Sequence, residues 1–318
     1  MTHALFLALL LRAPAQAAPI HGGAETDDYP AIGAIMAERD GYLYGSYCSG
    51  TLIHPKWVLT AAHCIESMTE DYSSYTPYFM VGGDLLGGEM DAWAEVVDAI
   101  TLPSWNEITL EGDLGLLELA GEGIVDVDPM PVNDDAIDDT WIGRPLRLVG
   151  FGVTLDGNDD GDVKRTADVP VWDYDEAFVY TYDQADRQNA CSGDSGGAGL
   201  ELVGDDLELA GVISFGWAPH DGDSCSEGAL AMVRVDAYLS WIEGYVDLAY
   251  SPPEDTGLDT DEPDGDDGDE PGEGCSCGTG RGTASGVAMV TLLLGLFLRR
   301  RQRPGPSGAT LSASPEVP

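Results

Sequence analysis

The chain has 318 residues, 43% of them hydrophobic, which is enough for one or two domains with a buried core. Its formal net charge is −43, and residues 20–250 alone hold 45 acidic side chains against eight Lys and Arg. This charge makes nucleic acid and anionic membrane surfaces poor partners. It favours high solubility, and it would also attract cationic substrates or divalent ions.

The first seventeen residues have the pattern of a secretory signal peptide. An apolar run, Ala4–Leu11, is followed by Ala15–Ala17, whose small residues are typical of a cleavage site. We therefore predict that residues 1–17 are removed on export. Cysteine pairs suit this destination, because disulfides persist outside the cytosol.

Residues 20–250 alternate short apolar runs with clusters of Gly, Pro and Asp, and this pattern predicts an all-β barrel or sandwich. The clearest runs are AIGAIMA, PLRLVGFG and LELAGVISFG, at 31–37, 145–152 and 207–216. The end of this stretch has a different period. Apolar residues recur there at helical spacing and predict a terminal amphipathic helix; they are Val235, Leu239, Ile242 and Val246.

Two polar residues beside apolar runs are candidates for catalysis. His63 is the last residue but one of the run SGTLIHPKWVLTAAHC, and Cys48, directly before this run, lies sixteen positions before Cys64. A bond between these cysteines would close a small loop that pins His63, worth roughly 3 kcal/mol of chain entropy. Asp113 stands at the start of the run GDLGLLEL. A lone histidine is more often structural, and an aspartate before a strand is commonly a turn residue, so each needs a partner to be functional.

The sequence DGNDDGD, at 156–162, resembles the opening of a calcium loop. The residues at the matching positions are Asp156, Asn158, Asp160 and Gly161. The acid required at the twelfth position is missing, because Ala167 stands there and Asp168 comes one later. A plain surface loop and a Ca²⁺ site both remain open from the sequence.

The sequence CSGDSGG, at 191–197, raises the central question about function. Gly, Ser and Asp are common turn residues, so one interpretation is an ordinary loop. The alternative is that Ser195 is a nucleophile on a tight turn with backbone amides exposed around it. Four cysteines accompany the candidates, and sequence alone does not choose among their three connectivities; they are Cys48, Cys64, Cys191 and Cys225.

Beyond residue 250 the composition changes. Residues 251–274 carry eleven acidic side chains and are predicted to form a disordered, self-repelling linker. Residues 275–303 follow, with the motif GCSCG around Cys275 and Cys277, and residues 304–318 form a short tail.

An apolar run, Val287–Leu298, lies directly before the basic cluster Arg299–Arg301. The run predicts a transmembrane segment, although it is a little short for a standard span. The arginines favour the cytoplasmic side, which leaves the body of the protein outside the cell.

Six motifs in residues 20–250 together resemble the trypsin/chymotrypsin-like serine proteases, whose order of His, Asp and Ser they share. The resemblance implies two packed six-stranded Greek-key β-barrels, at 20–125 and 126–250, with the site in the cleft between them. The matching segments are IHGG at 20–23, TAAHC at 60–64, GDLGLLEL at 112–119, GFG at 150–152, GDSGG at 193–197 and SFG at 214–216.

The resemblance implies a role for each candidate. His63 would take the proton of Ser195 and return it to the leaving amine, while Asp113 would fix the imidazole tautomer. The backbone N–H groups of Gly193 and Ser195 would bind the developing oxyanion. The implied activity is that of a serine endopeptidase that needs no metal or cofactor.

Activation in the resembled family pairs a buried aspartate with the α-amino group of a new N-terminus. The matching residues are Asp194 and Ile20. Ala18 and Pro19 precede Ile20, so no Arg or Lys marks a cleavage site for a trypsin-like activator. We therefore expect an aminopeptidase or an Xaa-Pro dipeptidase-type enzyme to expose Ile20. The family also implies the disulfide pairs Cys48–Cys64 and Cys191–Cys225.

The specificity pocket of the family is implied here to involve four residues: Asn189, Ser214, Phe215 and Gly216. Asn189 is neutral, and a buried Lys or Arg head without a counter-charge would be unfavourable, so cleavage after uncharged residues is expected. The third wall is ambiguous. If Gly228 lines the pocket it is open to aromatic side chains, whereas Leu230 would make it shallow and suited to small ones.

Two alternatives concern the whole molecule. A catalytically silent surface binding module could keep this fold, although it would have no need of an intact His63, Asp113 and Ser195.

The GCSCG segment with its apolar run and arginines resembles the C-terminal sorting signals of myxobacterial-type surface proteins, and a simple membrane anchor is the alternative. The sorting signal and the membrane anchor both imply an exported protein at the cell surface. The protease family implies protein or peptide substrates.

Overall fold

The computed structural model describes residues 20–204, 206–218 and 222–250. The predicted signal peptide, acidic linker, cysteine motif, sorting or transmembrane segment and tail lie outside these residues. Within the described part, no helix is long and apolar enough to cross a bilayer.

Strands dominate the described residues, and only short helices connect or end them. The strands are β1 (Ala24–Glu25), β2 (Ile32–Arg39), β3 (Tyr42–His54), β4 (Trp57–Thr60), β5 (Thr76–Gly82), β6 (Met90–Thr101), β7 (Gly115–Leu119), β8 (Pro145–Gly150), β9 (Arg165–Tyr174), β10 (Phe178–Thr181), β11 (Ala198–Val203), β12 (Asp206–Trp217) and β13 (Ala229–Arg234). The α-helices are α1 (Ala62–Glu70), α2 (Ser224–Glu227) and α3 (Leu239–Ile242), and 3-10 turns occur at Asp139–Trp141 and Asp236–Tyr238.

The first barrel is closed by antiparallel pairing in the order β2-β3-β4-β7-β6-β5. Phe79 lies fully buried inside it, because two glycines leave room for its ring. A Cβ on Gly33 would lie 2.6 Å from that ring, and one on Gly50 would lie 3.3 Å from it. Small residues on two strands therefore let one large aromatic side chain fill this core.

The second barrel contains β8 to β13, and pairing of β8 with both β9 and β11 closes it. β1 adds to its β9, where Ala24 pairs with Thr166. Ile20 is fully buried among the core side chains of this barrel. The start of the described chain thus packs on the second barrel, whereas the range predicted for the first barrel began at residue 20.

The prediction of two six-stranded antiparallel barrels with a C-terminal helix is confirmed. The helix itself is shorter than the periodicity suggested, since α3 covers only Leu239–Ile242. Val235 and Val246 on either side of it are nevertheless buried. They belong to an apolar cluster that includes residues of both barrels, so this segment buries its apolar face against the two-barrel body.

Candidate active site

His63 is held by Asp113 directly after a strand of the first barrel. β4 ends at Thr60, and α1 begins at Ala62, so His63 lies in the first turn of a helix. His63 N donates to Asp113 Oδ1 at 2.9 Å, and His63 Nδ1 lies 2.8 Å from Asp113 Oδ2. Because a carboxylate accepts hydrogen bonds and does not donate them, Nδ1 carries the ring proton. Nε2 is left with a free lone pair.

Asp113 is fully buried, and its carboxylate is surrounded by donors. Besides the two bonds from His63, Ser214 Oγ donates to Asp113 Oδ2 at 2.5 Å. A buried carboxylate needs such donors, because an unpaired charge in the interior is costly. Sequence reasoning placed Ser214 only in the specificity pocket, and its bond to Asp113 was not predicted.

The turn that carries Ser195 is fastened to both barrels. Ser49 N, on β3, donates to Ser195 O at 2.7 Å, and Gly196 N donates to Ile213 O, on β12, at 2.7 Å. Gly196 has a φ of +79°, and a Cβ there would lie 2.1 Å from Thr60 Oγ1. Only glycine fits this position, which explains part of the GDSGG pattern.

The Cys48–Cys64 disulfide lies close to both His63 and Ser195. Cys64 Sγ is 3.8 Å from His63 Nε2 and 3.6 Å from Ser195 O. The Cys64 sulfur therefore contacts both the imidazole, at the nitrogen not bonded to Asp113, and the backbone of the turn that carries Ser195. The structure brings the three predicted residues together from three separate segments of the chain.

Two backbone N–H groups on this turn are available to a ligand. The N–H groups of Gly193 and Ser195 donate to no acceptor in the described part of the chain. Gly193 has a φ of +96°, and its turn packs so closely on Gly152 that a Cβ would lie 2.9 Å from Gly152 Cα. Two unpaired N–H groups on one tight turn form a site suited to an oxyanion.

The buried side chain of Asp194 stabilises this turn through hydrogen bonds. This side chain is fully buried and accepts from Gly152 N and Cys191 N, both at 2.8 Å. Burial raises the pKa of Asp194 to about 6, against the opposing effect of these two N–H bonds and of nearby Arg165. The carboxylate thus links the GFG segment to the turn before Ser195.

Ile20 reaches the same barrel core from the start of the described chain. Its side chain is fully buried, and its carbonyl accepts from Gly23 N at 2.7 Å. Next to it, His21 forms a β-bridge with Asn189, whose N–H donates to His21 O at 3.1 Å. The segment that begins at Ile20 therefore lies against the segment between β10 and β11 that leads to Cys191 and Asp194.

A cavity of about 160 Å³ opens beside Ser195. Its lining residues are Ala190, Cys191, Ser192, Ser195, Ile213, Ser214, Phe215, Gly216, Ser224, Cys225 and Leu230. Three of the four residues predicted for the pocket are among them. Asn189 is not, because it lies buried with its Nδ2 bonded to Ser224 O at 2.8 Å.

Leu230, and not Gly228, lines this cavity. The register of β12 and β13 pairs Leu230 with Gly216. Gly216 contributes no side chain here, and the leucine on the neighbouring strand forms part of the cavity wall. The side chains that line the cavity are uncharged, and both polar and apolar ones are among them.

Two disulfides support the site. Cys48 is bonded to Cys64 beside His63, and Cys191 is bonded to Cys225 in the wall of the cavity. These are the two pairs that the family resemblance implied, and the three-dimensional structure selects them from the three that the sequence allowed.

Ser49 is a residue of the site that sequence reasoning missed. Its Oγ donates to Gly193 O at 2.9 Å and accepts from Phe151 N at 3.0 Å. One hydroxyl therefore ties the Ser195 turn to the segment after β8. Its position next to Cys48 was the only sign in the sequence, and serine is too common in loops for that sign to be specific.

The sequence that resembles the opening of a calcium loop, at 156–162, uses its polar groups in protein contacts. Asp160 accepts from Thr154 N at 3.0 Å and from Thr154 Oγ1 at 2.7 Å, and Asp156 Oδ1 accepts from Ser192 Oγ at 2.7 Å. Two groups of residues in the described part have metal-compatible spacing, but their cysteines are disulfide-bonded and so cannot act as thiolate ligands.

Comparisons with known proteins agree with this arrangement. The family profile described as Trypsin matches residues 20–242. A trypsin of Simulium vittatum is 28% identical over 218 residues, which cover 62% of this chain and 82% of that protein. Serine protease 1 of Drosophila melanogaster is 27% identical over 245 residues, covering 72% of this chain and 88% of the relative.

Among solved structures, mouse neuropsin, a serine protease expressed in the limbic system of the brain, superimposes with a TM-score of 0.56 at 21% identity. The match covers 71% of this chain and 99% of neuropsin, and it shows a shared fold. The family profile spans well over half of the chain and contains all six segments that resemble the family, from IHGG to SFG. The chain therefore belongs to the trypsin family.

Proposed function

We propose that this protein is a serine endopeptidase that hydrolyses peptide bonds with Ser195 as nucleophile, His63 as base and Asp113 as the residue that orients the base. One observation carries the proposal. Asp113 bonds His63 through Nδ1 at 2.8 Å, and Cys64 Sγ lies 3.8 Å from the opposite ring nitrogen and 3.6 Å from Ser195 O. A serine hydroxyl becomes an effective nucleophile only beside such a base.

The reaction has two halves. In the first, Ser195 Oγ bonds to the substrate carbonyl carbon, and its proton moves to His63 Nε2 and then to the leaving amine as the C–N bond breaks. In the second, water attacks the resulting ester, and His63 takes a proton from the water and returns one to Ser195 Oγ. Asp113 stabilises the positive imidazolium in both halves.

The oxyanion formed in each half is bound by the N–H groups of Gly193 and Ser195. Both groups lack an acceptor in the described chain, so neither has to break a bond to receive the substrate oxygen. Loss of one such donor typically costs about 10²–10³ in rate. Asp194 and Ser49 keep the turn in shape through Gly152 and Gly193.

Ile20 completes the proposed activation. Once residues before it are removed, its α-amino group becomes a buried cation that can pair with Asp194. The side chain of Ile20 is already buried in the second barrel, which supports this role. The enzyme that exposes Ile20 would be an aminopeptidase or an Xaa-Pro dipeptidase.

The proposed place of action is outside the cytosol. Two disulfides in a chain of this size fit an oxidising compartment. Residues 251–303 would then hold the enzyme at the cell surface, either as a membrane anchor or through processing near Cys275.

A fluorophosphonate probe tests the proposed function. The chain that begins at Ile20 is expected to react covalently with the probe, and Ser195→Ala is expected to abolish that reaction while the protein stays folded. The same protein should cleave a mixed peptide library. Absence of both probe reaction and peptide cleavage would instead support a silent binding module.

The lining of the cavity beside Ser195 supports a substrate preference. We expect cleavage after small uncharged residues such as Ala, because Leu230 occupies the space that a larger side chain needs. Leu230→Gly should raise kcat/KM for substrates with Phe at the cleaved position by about tenfold or more relative to Ala, since a few methylene groups in an apolar pocket are worth about 1–3 kcal/mol.

A matched control is Leu202→Gly, which removes an exposed leucine of β11. It should leave the preference unchanged. The measurement is kcat/KM on peptides that differ only at the cleaved position. A wild-type profile dominated by Arg, Lys or Phe, or an unchanged profile in Leu230→Gly, would contradict the assignment of Leu230.

A further inference from the structure

Two basic side chains are buried in the second barrel. Only eight Lys and Arg occur in residues 20–250, yet Lys164 is 1% exposed and Arg165 is 2% exposed. A buried cation is costly unless its surroundings compensate for the lost water. In a chain with so few cations, each burial therefore calls for a physical reason.

Lys164 has a structural reason. Its Nζ donates to Asp28 O at 3.2 Å and to Tyr29 O at 3.0 Å, and it lies 5.9 Å from the centre of the Phe151 ring. These contacts fasten the segment before β2 to the second barrel. They do not include Asp194 or its turn.

Arg165 has a different set of contacts. Its Nη1 donates to Gly152 O at 3.1 Å and to Val163 O at 3.0 Å, while its Nε has no partner. The only carboxylate in ion-pair range within the described residues is that of Glu25, 3.9 Å away, and this side chain is 68% exposed. Among residues 20–204, 206–218 and 222–250, no close ion pair neutralises the guanidinium.

Gly152 connects Arg165 to the oxyanion turn. Its carbonyl accepts from Arg165 Nη1, and its N–H donates to Asp194 Oδ1 at 2.8 Å. A buried cation and a buried carboxylate thus lie on two sides of one glycine. A Cβ on Gly152 would lie 2.6 Å from Asp194 N, so this packing is too close for any other residue.

Electrostatics agree with the geometry. Burial is the main cause that raises the pKa of Asp194, and Arg165 is the charged group that opposes it, together with the N–H groups of Cys191 and Gly152. In the other direction, burial lowers the pKa of Arg165, and the carboxylates of Asp160, Glu25, Asp194 and Asp84 oppose that. Each of the two buried charges therefore favours the ionised form of the other.

We propose that Arg165 is a built-in counter-cation for Asp194 that keeps the Gly193–Ser195 turn assembled before Ile20 becomes the N-terminal residue. The proposal rests on the proposed protease function. It predicts that the chain that still carries Ala18 and Pro19 has measurable peptidase activity. Removal of these two residues, which exposes the amino group of Ile20, is expected to raise this activity. Arg165 is a positioning residue here, because it acts on Asp194 and does not touch the substrate.

The experiment compares two N-termini in otherwise complete chains. Each form is made with a cleavable N-terminal fusion partner. Cleavage leaves Ala18 as the first residue of the unprocessed form and Ile20 as the first residue of the processed form, and both forms continue to Pro318. Each is made as wild type, Arg165→Gln, Arg165→Lys and Lys164→Met. The readouts are kcat/KM on a peptide, the rate of fluorophosphonate labelling and the thermal unfolding temperature.

Arg165→Gln is expected to lower kcat/KM of the Ala18 form by about tenfold or more, because the buried Asp194 carboxylate loses the nearby cation that favours its ionised form. The Ile20 form should lose less than about threefold, because its own amino group pairs with Asp194. Arg165→Lys, which keeps the charge, should restore most of the activity of the Ala18 form. Lys164→Met should affect both forms equally.

A pH profile adds a readout that a purely structural role would not move. Without the guanidinium, Asp194 takes up a proton at higher pH, so the acid limb of kcat/KM for the Ala18 form should move to higher pH in Arg165→Gln. The Ile20 form should keep its profile.

The outcomes are distinguishable. If the wild-type Ile20 form neither labels nor cleaves, the protease function fails. If it does both but Arg165→Gln changes the two forms by the same factor, or the Ala18 form of wild type is inert, the counter-cation role is wrong. If Arg165→Gln does not fold, the comparison of Arg165→Lys and wild type in the Ala18 form decides, because loss of activity despite the retained charge would overturn the proposal.

Discussion

Replacing Ser195 by alanine is expected to lower kcat by about 10⁶-fold, the size of effect seen when a triad nucleophile is removed. The oxygen that attacks the substrate is lost, while the turn keeps its bonds to Ser49 and Ile213. His63→Ala should cost a similar factor, and the double variant should cost no more than either single change, because the two residues act as one unit. Single-turnover and steady-state kinetics on one peptide measure all three.

Residual hydrolysis in these variants should still exceed the uncatalysed rate by about 10³–10⁴, which the N–H groups of the oxyanion site and substrate binding supply. Ser240→Ala, which removes an exposed hydroxyl on α3, is a control that should keep full activity. If the effects of Ser195→Ala and His63→Ala multiply in the double variant, the two side chains do not share a proton.

Replacing Asp113 by asparagine is expected to lower kcat by about 10⁴-fold with little change in KM. Asparagine has nearly the same shape, but its NH₂ group donates where the carboxylate accepts from His63 Nδ1 and Ser214 Oγ. The imidazole then takes the other tautomer, and Nε2 carries a proton instead of a lone pair. The charge that stabilises the imidazolium is also lost.

Asp113→Ala separates the effect on chemistry from the effect on folding. It leaves His63 N and Ser214 Oγ without an acceptor in a fully buried place. Each such orphan is expected to cost about 1–3 kcal/mol of unfolding free energy. Thermal unfolding of both variants checks this, and an Asp113→Asn enzyme within tenfold of wild type would show that Asp113 does not orient the base.

The two-barrel fold was predictable because strand signals and family motifs occur along the same 20–250 stretch. The candidate residues were also named from the sequence, since His63, Asp113 and Ser195 stand in short motifs with recognisable neighbours. Roles that depend on contacts between distant parts of the chain could not be predicted from the sequence. Ser49 acts through a hydroxyl that touches Gly193 and Phe151, which lie about a hundred or more positions away along the chain, and such contacts have no local signature.

The wall of the pocket illustrates the same limit. Gly228 and Leu230 are two positions apart, and a shift in strand register exchanges which residue faces a neighbour. β12 has an irregularity between Ile213 and Phe215, so its register with β13 cannot be counted along the sequence. The pairing of Leu230 with Gly216 therefore appears only in the folded chain.

The sequence by itself determined the chemical groups of this protein, their order along the chain and the all-β class, because periodicity and short motifs are local properties. Tertiary structure decided which cysteines pair, which residue closes the pocket, and that Ile20 and Arg165 are buried in the barrel that carries Asp194. These are distances between segments far apart in the chain, and only the packing of two closed barrels sets them.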